Sequence, residues 1–145
     1  MGREIKFKGK SAVEVFDGSD TPSIDLGDWV YGSLIVDNDQ SFIVKGVVEC
    51  NAEYISLEEW CPVDIETVGQ YTGLRDKNGV DIYEGDIVRA GTVESKDGAV
   101  RDMNVPVEYV RGIFEPIAYV TDDVLEVIGN IYENPELLGS RVGDE

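Results

Sequence analysis

The chain has 145 residues, of which 42% are hydrophobic, and its 30 acidic and 12 basic side chains give a net charge of −18. This length fits one domain with a real core, and the apolar fraction excludes a wholly disordered chain. Such a negative charge disfavours direct binding to nucleic acid or to an anionic membrane, because both partners require a positive surface.

The N-terminal residues predict two short strands and a loop. Arg3–Lys8 alternates charged and apolar residues, and Gly9-Lys10 is expected to end this strand. Ala12–Phe16 is the candidate second strand, and the composition of Asp17–Ser23 predicts a loop. No continuous apolar segment follows the N-terminus and no stretch is long enough to span a membrane, so we expect a cytoplasmic protein without a signal peptide.

A hairpin is predicted next. Trp29–Val36 is rich in aromatic and β-branched residues, Asp37–Gln40 is typical of a turn, and Ser41–Glu49 returns antiparallel. Asn51–Pro62 is ambiguous between a short helical turn and an irregular segment. The helical alternative is favoured by Ser56, which resembles the start of a capping box.

The centre of the chain, Thr67–Val88, predicts a hairpin that leads into a further strand. Asn78-Gly79 favours a type I′ turn, in which both central residues have positive φ. Asp76 is expected to start this turn by bonding its own backbone. Alternation places Val80 and Ile82 on one face of the returning strand.

A second corner is predicted at Glu84-Gly85-Asp86, where Gly85 supplies the positive φ, and Ile87-Val88 resumes a strand. Two tight turns between short strands are typical of a small, strongly bent barrel of the SH3-like kind. The polar stretch Gly91–Asn104 is either a long hairpin tip or a mobile loop.

The C-terminal part predicts further strands and a helical turn. Strands are expected at Val105–Phe114, at Ile117–Val120 and at Leu125–Ile131. Asn134–Leu138 begins a helical turn with Asn134 as N-cap and proline at the first position. Residues 139–145 are expected to be a frayed tail. The predicted fold is therefore mainly β, a small SH3-like bent barrel with added hairpins and a short C-terminal helical turn, in one domain over residues 1–145.

No residue set predicts catalysis. Histidine is absent, which removes the usual general base, the usual metal ligand and any Ser-His or Cys-His nucleophile. Gly9-Lys10-Ser11 imitates the end of a phosphate-binding loop, but Glu4 stands where its first glycine would be. The pairs Glu58-Glu59 and Asp122-Asp123 consist of neighbours that point to opposite faces of a strand, so neither predicts a catalytic dyad.

Metal and nucleotide sites are not predicted either. Asp37-Asn38-Asp39 and Asp17–Asp20 offer oxygen ligands for calcium, but Phe42 occupies the position where a calcium loop needs glycine, and both are interpreted as turns. Cys50 and Cys61 lack metal-type spacing and are expected to be reduced thiols. Four aromatic residues suit either base stacking or a core and interface, and we interpret them as core and interface: Trp29, Tyr31, Trp60 and Tyr71.

Four segments together resemble the YopX family of phage and prophage proteins from Gram-positive and gut bacteria. They are Arg3–Phe7, Trp29–Gly32, Thr67–Val88 and Val127–Leu138, in the family's order. The sequence departs at Val80-Asp81, where a Lys-Glu pair is common. The resemblance implies a mainly β fold with a small barrel, a phage context and self-association, and it implies no chemistry.

The leading hypothesis is a non-enzymatic phage accessory protein, without cofactor or metal, that binds protein and forms a homo-oligomer. The distribution of acids supports an alternative, since Ser11 to Leu74 contains 13 acids and one base, Lys45. These acids are either a solvated surface or an acidic face for a basic host or phage protein, including mimicry of nucleic acid. A hydrolase that uses carboxylates alone is the third hypothesis.

Overall fold

The structure is a computed structural model, and it describes residues 4–94, 100–115 and 125–140; within these ranges, the side chains of 91–94, 100–102 and 139–140 are left undescribed. The described residues form a mainly β protein with short 3₁₀ helices, as predicted. The chain divides into two compact units, Met1–Gln70 and Tyr71–Glu145. The single domain expected from the sequence stays a prediction, and each unit is described by itself.

The first unit is built on antiparallel strands in the order β4-β3-β2-β1, and the beginning of β5 pairs with β1. Its strands are β1 Phe7–Lys10, β2 Trp29–Asp37, β3 Gln40–Cys50 and β4 Ile55–Pro62. The β2–β3 hairpin is confirmed, with Asp37 opposite Gln40 and Asn38 at a φ of 54° in the turn. The 3₁₀ helix Ile65–Thr67 then precedes β5.

The predicted break at Gly9-Lys10 is wrong, because both residues belong to β1. A Cβ at Gly9 would lie 3.1 Å from Val68 and 3.3 Å from both Ile43 and Val63. Glycine in a strand interior often marks such a close approach. This glycine therefore lets the core close over β1, and it does not end the strand.

The expected second strand at Ala12–Phe16 is also wrong. Ser11 and Val15 form isolated bridges, to Val63 and Ile24, and the segment between them is not a strand. The segment Asn51–Pro62 is neither a helical turn nor irregular throughout, since β4 occupies most of it and pairs with β3 from Cys50↔Ile55 to Phe42↔Pro62. Pairing with β3 stabilises the extended conformation of this segment more than its local sequence favours a helical turn.

The second unit contains the remainder of β5 Gly69–Arg75 paired with β6 Asp81–Tyr83, and the three strands β11-β7-β8. The other strands are β7 Asp86–Glu94, β8 Val100–Pro106, β9 Glu108–Val110, β10 Ile113–Glu115 and β11 Leu125–Asn130. Its core comprises Ile82, Val88, Ala90, Val107 and Leu125.

The hairpin at the centre of the chain is confirmed, but its turn is of another type. Gly79 has a φ of 83°, whereas Asn78 does not have a positive φ, so the turn is not type I′. The Gly79 amide donates to the Asp76 carbonyl at 2.9 Å, and the Asp76 amide donates to the Val80 carbonyl at 2.8 Å. Arg111 and Gly112, at 53° and 85°, are the pair whose positive φ values suit a type I′ turn, between β9 and β10.

Three further predictions have different outcomes. The corner at Gly85 is confirmed with a φ of 94°. Val80 and Ile82 do not share a face, since Val80 is 47% exposed and Ile82 is fully buried. Strand pairing between β7 and β8 continues to Glu94↔Val100, so the described residues of 91–104 are paired strands, and residues 95–99 lie outside the described residues.

At the C-terminus the predicted strand Leu125–Ile131 is confirmed as β11, and a 3₁₀ helix covers Pro135–Ser140. Asn134 and Pro135 occupy the N-cap and the first helical position, as predicted. The Asn134 carbonyl accepts from the Leu137 amide at 3.0 Å, and its side-chain oxygen accepts from the Asn130 amide at 3.2 Å. The predicted strand Ile117–Val120, the pair Asp122-Asp123 and the end of the predicted tail, 141–145, lie outside the described residues.

Candidate interaction surface

Exposed apolar side chains are concentrated in the first unit. Of the sixteen large hydrophobic residues recorded as exposed in the described part of the chain, thirteen precede Tyr71. Single exposed apolar residues are normal on a protein surface, whereas groups of them mark contact sites. The groups in this unit are therefore the candidate functional surface.

The first group is an open groove across β2, β3 and β4, which we call the Trp60 groove. Its volume is about 340 Å³, and its lining comprises Ile35, Phe42, Val44, Leu57 and Trp60. Trp60 is 55% exposed, and its ring meets that of Phe42 edge to face, with centroids 5.6 Å apart and planes at 79°. This geometry is favourable for aromatic pairs, so Phe42 holds Trp60 in place while most of its surface faces solvent.

A second depression, of about 500 Å³, continues from the first because both contain Leu57 and Trp60. Its far wall is the segment Val13–Phe16, which the Val15–Ile24 bridge fastens to the unit. Two acids, Glu14 and Glu59, also line it. The combined site thus has an apolar floor with carboxylates at its margin.

The second group lies on the ribbon formed by β3 and β4 beyond the end of β2. β2 pairs with β3 only as far as Ser33↔Val44, whereas β3 and β4 remain paired to Cys50↔Ile55. We call residues 47–55 the β3–β4 arm, and every one of them is exposed. A two-stranded ribbon is marginally stable alone, so the exposed valines of this arm lack the packing that usually stabilises such a hairpin.

The outer edge of β4 is less suited to pairing with another strand. Glu58 and Glu59 stand at its middle, and Glu59 has a φ of 46° that interrupts the extended backbone. Charges and local irregularity are common devices against edge-to-edge association. Of the two surfaces offered by β4, its apolar face is therefore the better contact site.

All thirteen acids between Ser11 and Leu74 are exposed. The single base of this stretch, Lys45, forms an ion pair with Glu59 at 3.1 Å. The hydrogen bond and the charge of Glu59, with the charge of Glu58, raise the pKa of Lys45 above its ordinary value. The apolar groups of the first unit therefore lie within a strongly acidic surface.

The aromatic residues singled out from the sequence separate into different environments. Tyr71 is 5% exposed and packs against Tyr83 at a centroid distance of 5.6 Å, so it belongs to a core. Trp60 and Tyr31 are exposed. Trp29 is half-buried on β2, and the Lys8 ammonium lies 4.5 Å from its ring centroid.

The candidate chemical groups are placed apart. Cys50 is exposed and Cys61 is buried, and both are free thiols. Asp37 and Asp39 are exposed beside the β2–β3 turn, and Glu58 and Glu59 are likewise open to solvent. Within the ranges that the structure covers, no three Asp, Glu, Cys or His side chains are grouped as metal ligands. No helix in the described part of the chain is long and apolar enough to cross a membrane.

In the second unit, the central turn is held by one buried carboxylate. Asp76 is 6% exposed, and one of its oxygens accepts from the amides of Asn78 and Val80 at 2.8 and 2.9 Å. The other oxygen accepts from the Val127 amide at 2.9 Å. Burial by itself would raise the pKa of Asp76, but these three hydrogen bonds, led by that from Val127, outweigh it and lower the pKa.

The Gly85 corner is joined to the same C-terminal segment. The Ile131 amide donates to the Gly85 carbonyl at 2.9 Å, and the Tyr132 ring lies 3.2 Å from the position of a Cβ on Gly85. Thr67–Val88 and Val127–Leu138, the two longest segments of the family resemblance, are thus hydrogen-bonded to each other. The residues that make these contacts hold the turns of the unit in place.

The structure defines a mainly β protein with an acidic, partly apolar surface in its first unit. The YopX protein family model matches residues 25–139, so the chain belongs to the YopX family. The chain is also similar to the crystal structure of protein EF1440 from Enterococcus faecalis, with 21% identity and a TM-score of 0.49 over 94% of this chain and 99% of that one. No curated protein matches the chain.

Proposed function

We propose that the protein is a phage-encoded, non-enzymatic accessory protein that acts in the cytoplasm of the bacterial host by binding protein, including further copies of itself. The observation that carries this proposal is the exposure of apolar side chains on β2, β3 and β4. Interfaces differ from the remaining surface mainly by aromatic and apolar residues at a centre from which charge is depleted. The Trp60 groove has this composition.

Self-association is assigned to the β3–β4 arm. Val48 is 67% exposed, Val47 56% and Ile55 55%, and full burial of each such side chain is worth about 1.5–3 kcal/mol. A second copy of the arm would cover these residues and give the ribbon the additional strands or packing that isolated hairpins lack. The charge of −18 opposes this contact, so the proposal predicts stronger association at higher salt, where repulsion is screened.

Light scattering coupled to gel filtration tests the oligomer. The proposal predicts a mass above the 16.0 kDa of one chain, which increases with protein concentration in the micromolar range and with added salt. A mass of one chain at every concentration and every salt would remove self-association from the proposal.

We also propose that the second unit has the bent-barrel architecture of the SH3-like kind. Three features support it: the β5–β6 hairpin, the corner at Gly85, and the packing of Ile82, Val88 and Leu125 in one core. Sharp corners between short strands let a small sheet curl over a single core. A crystal structure with β7 in a flat, open sheet would contradict this architecture.

A second candidate function is supported by the exposure of all thirteen acids between Ser11 and Leu74. Such a surface suits an acidic mimic that occupies the nucleic-acid site of a basic host or phage protein. The test is a low-salt pull-down from host lysate followed by elution with double-stranded DNA. Release of a nucleic-acid-binding protein by DNA is expected, whereas recovery of no such protein would exclude the mimic.

A further inference from the structure

We infer that the Trp60 groove and its extension bind a basic amphipathic segment of another protein, with apolar side chains on one face and lysine or arginine beside them. This inference rests on the proposed protein-binding function and names the chemistry of the partner. It concerns a surface different from the β3–β4 arm, which is assigned to self-association.

The apolar part of the site is suited to anchoring side chains. The two depressions share Leu57 and Trp60, so they adjoin each other, and apolar side chains line both, including Phe42 on β3 and Phe16 on the far wall. Tryptophan in a groove is the residue type most often responsible for binding energy. Because Phe42 already fixes the Trp60 ring, little side-chain freedom is lost on binding.

The charge at the margin selects the partner. Glu14 and Glu59 line the extension, and the other acids of the first unit between Ser11 and Gln70 are also exposed. A second copy of this chain would bring its own Glu14 and Glu59 to a two-fold contact at the groove, where like charges repel. Glu59 is already paired with Lys45, so a cationic segment would instead be attracted by Glu14 and by the excess of acids in the first unit. Charge complementarity therefore favours a basic partner over self-association here.

The experiment uses the full chain and a fluorescent leucine–lysine peptide patterned as an amphipathic helix of about five turns. Binding is measured by fluorescence anisotropy. Two control peptides are a leucine–glutamate peptide with the same pattern and a scrambled leucine–lysine peptide without an apolar face. The leucine–lysine peptide is expected to bind, and both controls are expected to bind much more weakly.

Matched variants locate the site. Trp60→Ala is expected to weaken binding about thirtyfold, as for a central anchor, and Trp60→Phe is expected to weaken it less because an aromatic ring remains. Glu14→Gln removes one charge at the margin and is expected to weaken binding about threefold. Val80→Ala and Glu66→Gln change an exposed apolar residue and an exposed acid that belong neither to the groove nor to the β3–β4 arm, and both are expected to bind as the unchanged chain does.

Three results would overturn the inference: no binding of the leucine–lysine peptide, equal binding of the scrambled peptide, or binding that Trp60→Ala leaves unchanged in a variant whose circular dichroism shows it to be folded. Equal losses for Glu66→Gln and Glu14→Gln would also overturn it, because they would indicate attraction to net charge alone. The two proposals can fail separately. If the leucine–lysine peptide does not bind, the mass of the oligomer is still expected to exceed that of one chain. If the chain does not self-associate, the peptide is still expected to bind.

Discussion

Replacing Asp76 tests how the central turn is held in the second unit. Its carboxylate accepts hydrogen bonds from the amides of Asn78, Val80 and Val127 at 2.8–2.9 Å, and Asp76 is 6% exposed. Asp76→Ala leaves these three donors without their acceptor. Asp76→Asn keeps one oxygen acceptor but turns an amide NH₂ toward at least one of the donors.

The size of the loss in stability depends on which of the three backbone amides can bond to water once the carboxylate is removed. Asn78 and Val80 belong to exposed residues, whereas Val127 lies half-buried in β11. A hydrogen bond to a charged group is worth about 1.5–3 kcal/mol, and water offsets part of this for the two exposed donors. We expect Asp76→Ala to lower the free energy of unfolding by about 3 kcal/mol, or the melting temperature by about 10 °C, and Asp76→Asn by about 2 kcal/mol.

The pH dependence has a definite sign. Because the pKa of Asp76 is lower in the folded state, the carboxylate contributes stability that is fully present above its unfolded pKa of about 4 and is lost as the pH falls through the folded value. The difference in unfolding free energy between the unchanged protein and Asp76→Asn is therefore expected to be constant near neutral pH and to narrow in acid.

Urea unfolding followed by circular dichroism at a series of pH values measures this difference. Asp81→Asn is the control, since Asp81 forms an ion pair at 3.0 Å with the exposed Arg75 within the same hairpin, and a smaller effect is expected. The reasoning would be refuted if the two variants were equally stable, or if the gap for Asp76→Asn did not change between neutral and acidic pH.

Three further predictions concern other parts of the chain. Gly32→Ala should destabilise the first unit by about 3 kcal/mol in urea unfolding, because a Cβ there would overlap a carbonyl of β3. Gly46→Ala is the control and should change stability little, because its Cβ would meet only a flexible carboxylate. Equal effects of the two substitutions would contradict the pairing register of β2 and β3. Arg111→Asn should raise the melting temperature slightly, because asparagine adopts the positive φ of this position, 53°, at a lower energetic cost than arginine. A lower melting temperature would argue against this turn. Cys50 should react with Ellman's reagent at once and Cys61 only after denaturation, so two rapid thiols would contradict the burial of Cys61.

Local sequence signals predicted those parts of the fold whose partners lie nearby in the chain. The β2–β3 hairpin and the Gly85 corner depend on turn residues and alternation within short stretches, and both are confirmed. The family resemblance is confirmed as well, since the YopX family model matches residues 25–139.

Other features depend on distant residues and could not be predicted locally. Gly9 looks like a strand breaker until Val68 and Ile43 are seen to close over it. Ser56 looks like a helix cap until β3 provides a partner for the whole of β4. The prediction of a type I′ turn at Asn78-Gly79 was wrong because the Asp76 side chain accepts hydrogen bonds from two amides of the turn.

The candidate surface was predicted only in its components. Trp60 was expected in a core or an interface and is exposed, but Leu57 and Phe16 were not recognised as its neighbours. Treating Asn51–Pro62 as a strand beside Ser41–Glu49 would have placed Phe42 and Trp60 together, which was the available signal. The contribution of Val13–Phe16 could not have been predicted from the sequence, since it depends on how a non-strand segment folds against β4.

Sedimentation equilibrium of two matched variants tests most directly the claim that exposed apolar residues of the first unit form a binding surface. Val48→Lys and Val80→Lys each replace an exposed valine, at 67% and 47% exposure, and each makes the chain less negative by one charge, so neither increases repulsion between copies. The account predicts that Val48→Lys sediments as a single chain of 16.0 kDa while Val80→Lys keeps the mass of the unchanged oligomer. The same mass for both variants and for the unchanged protein would contradict it.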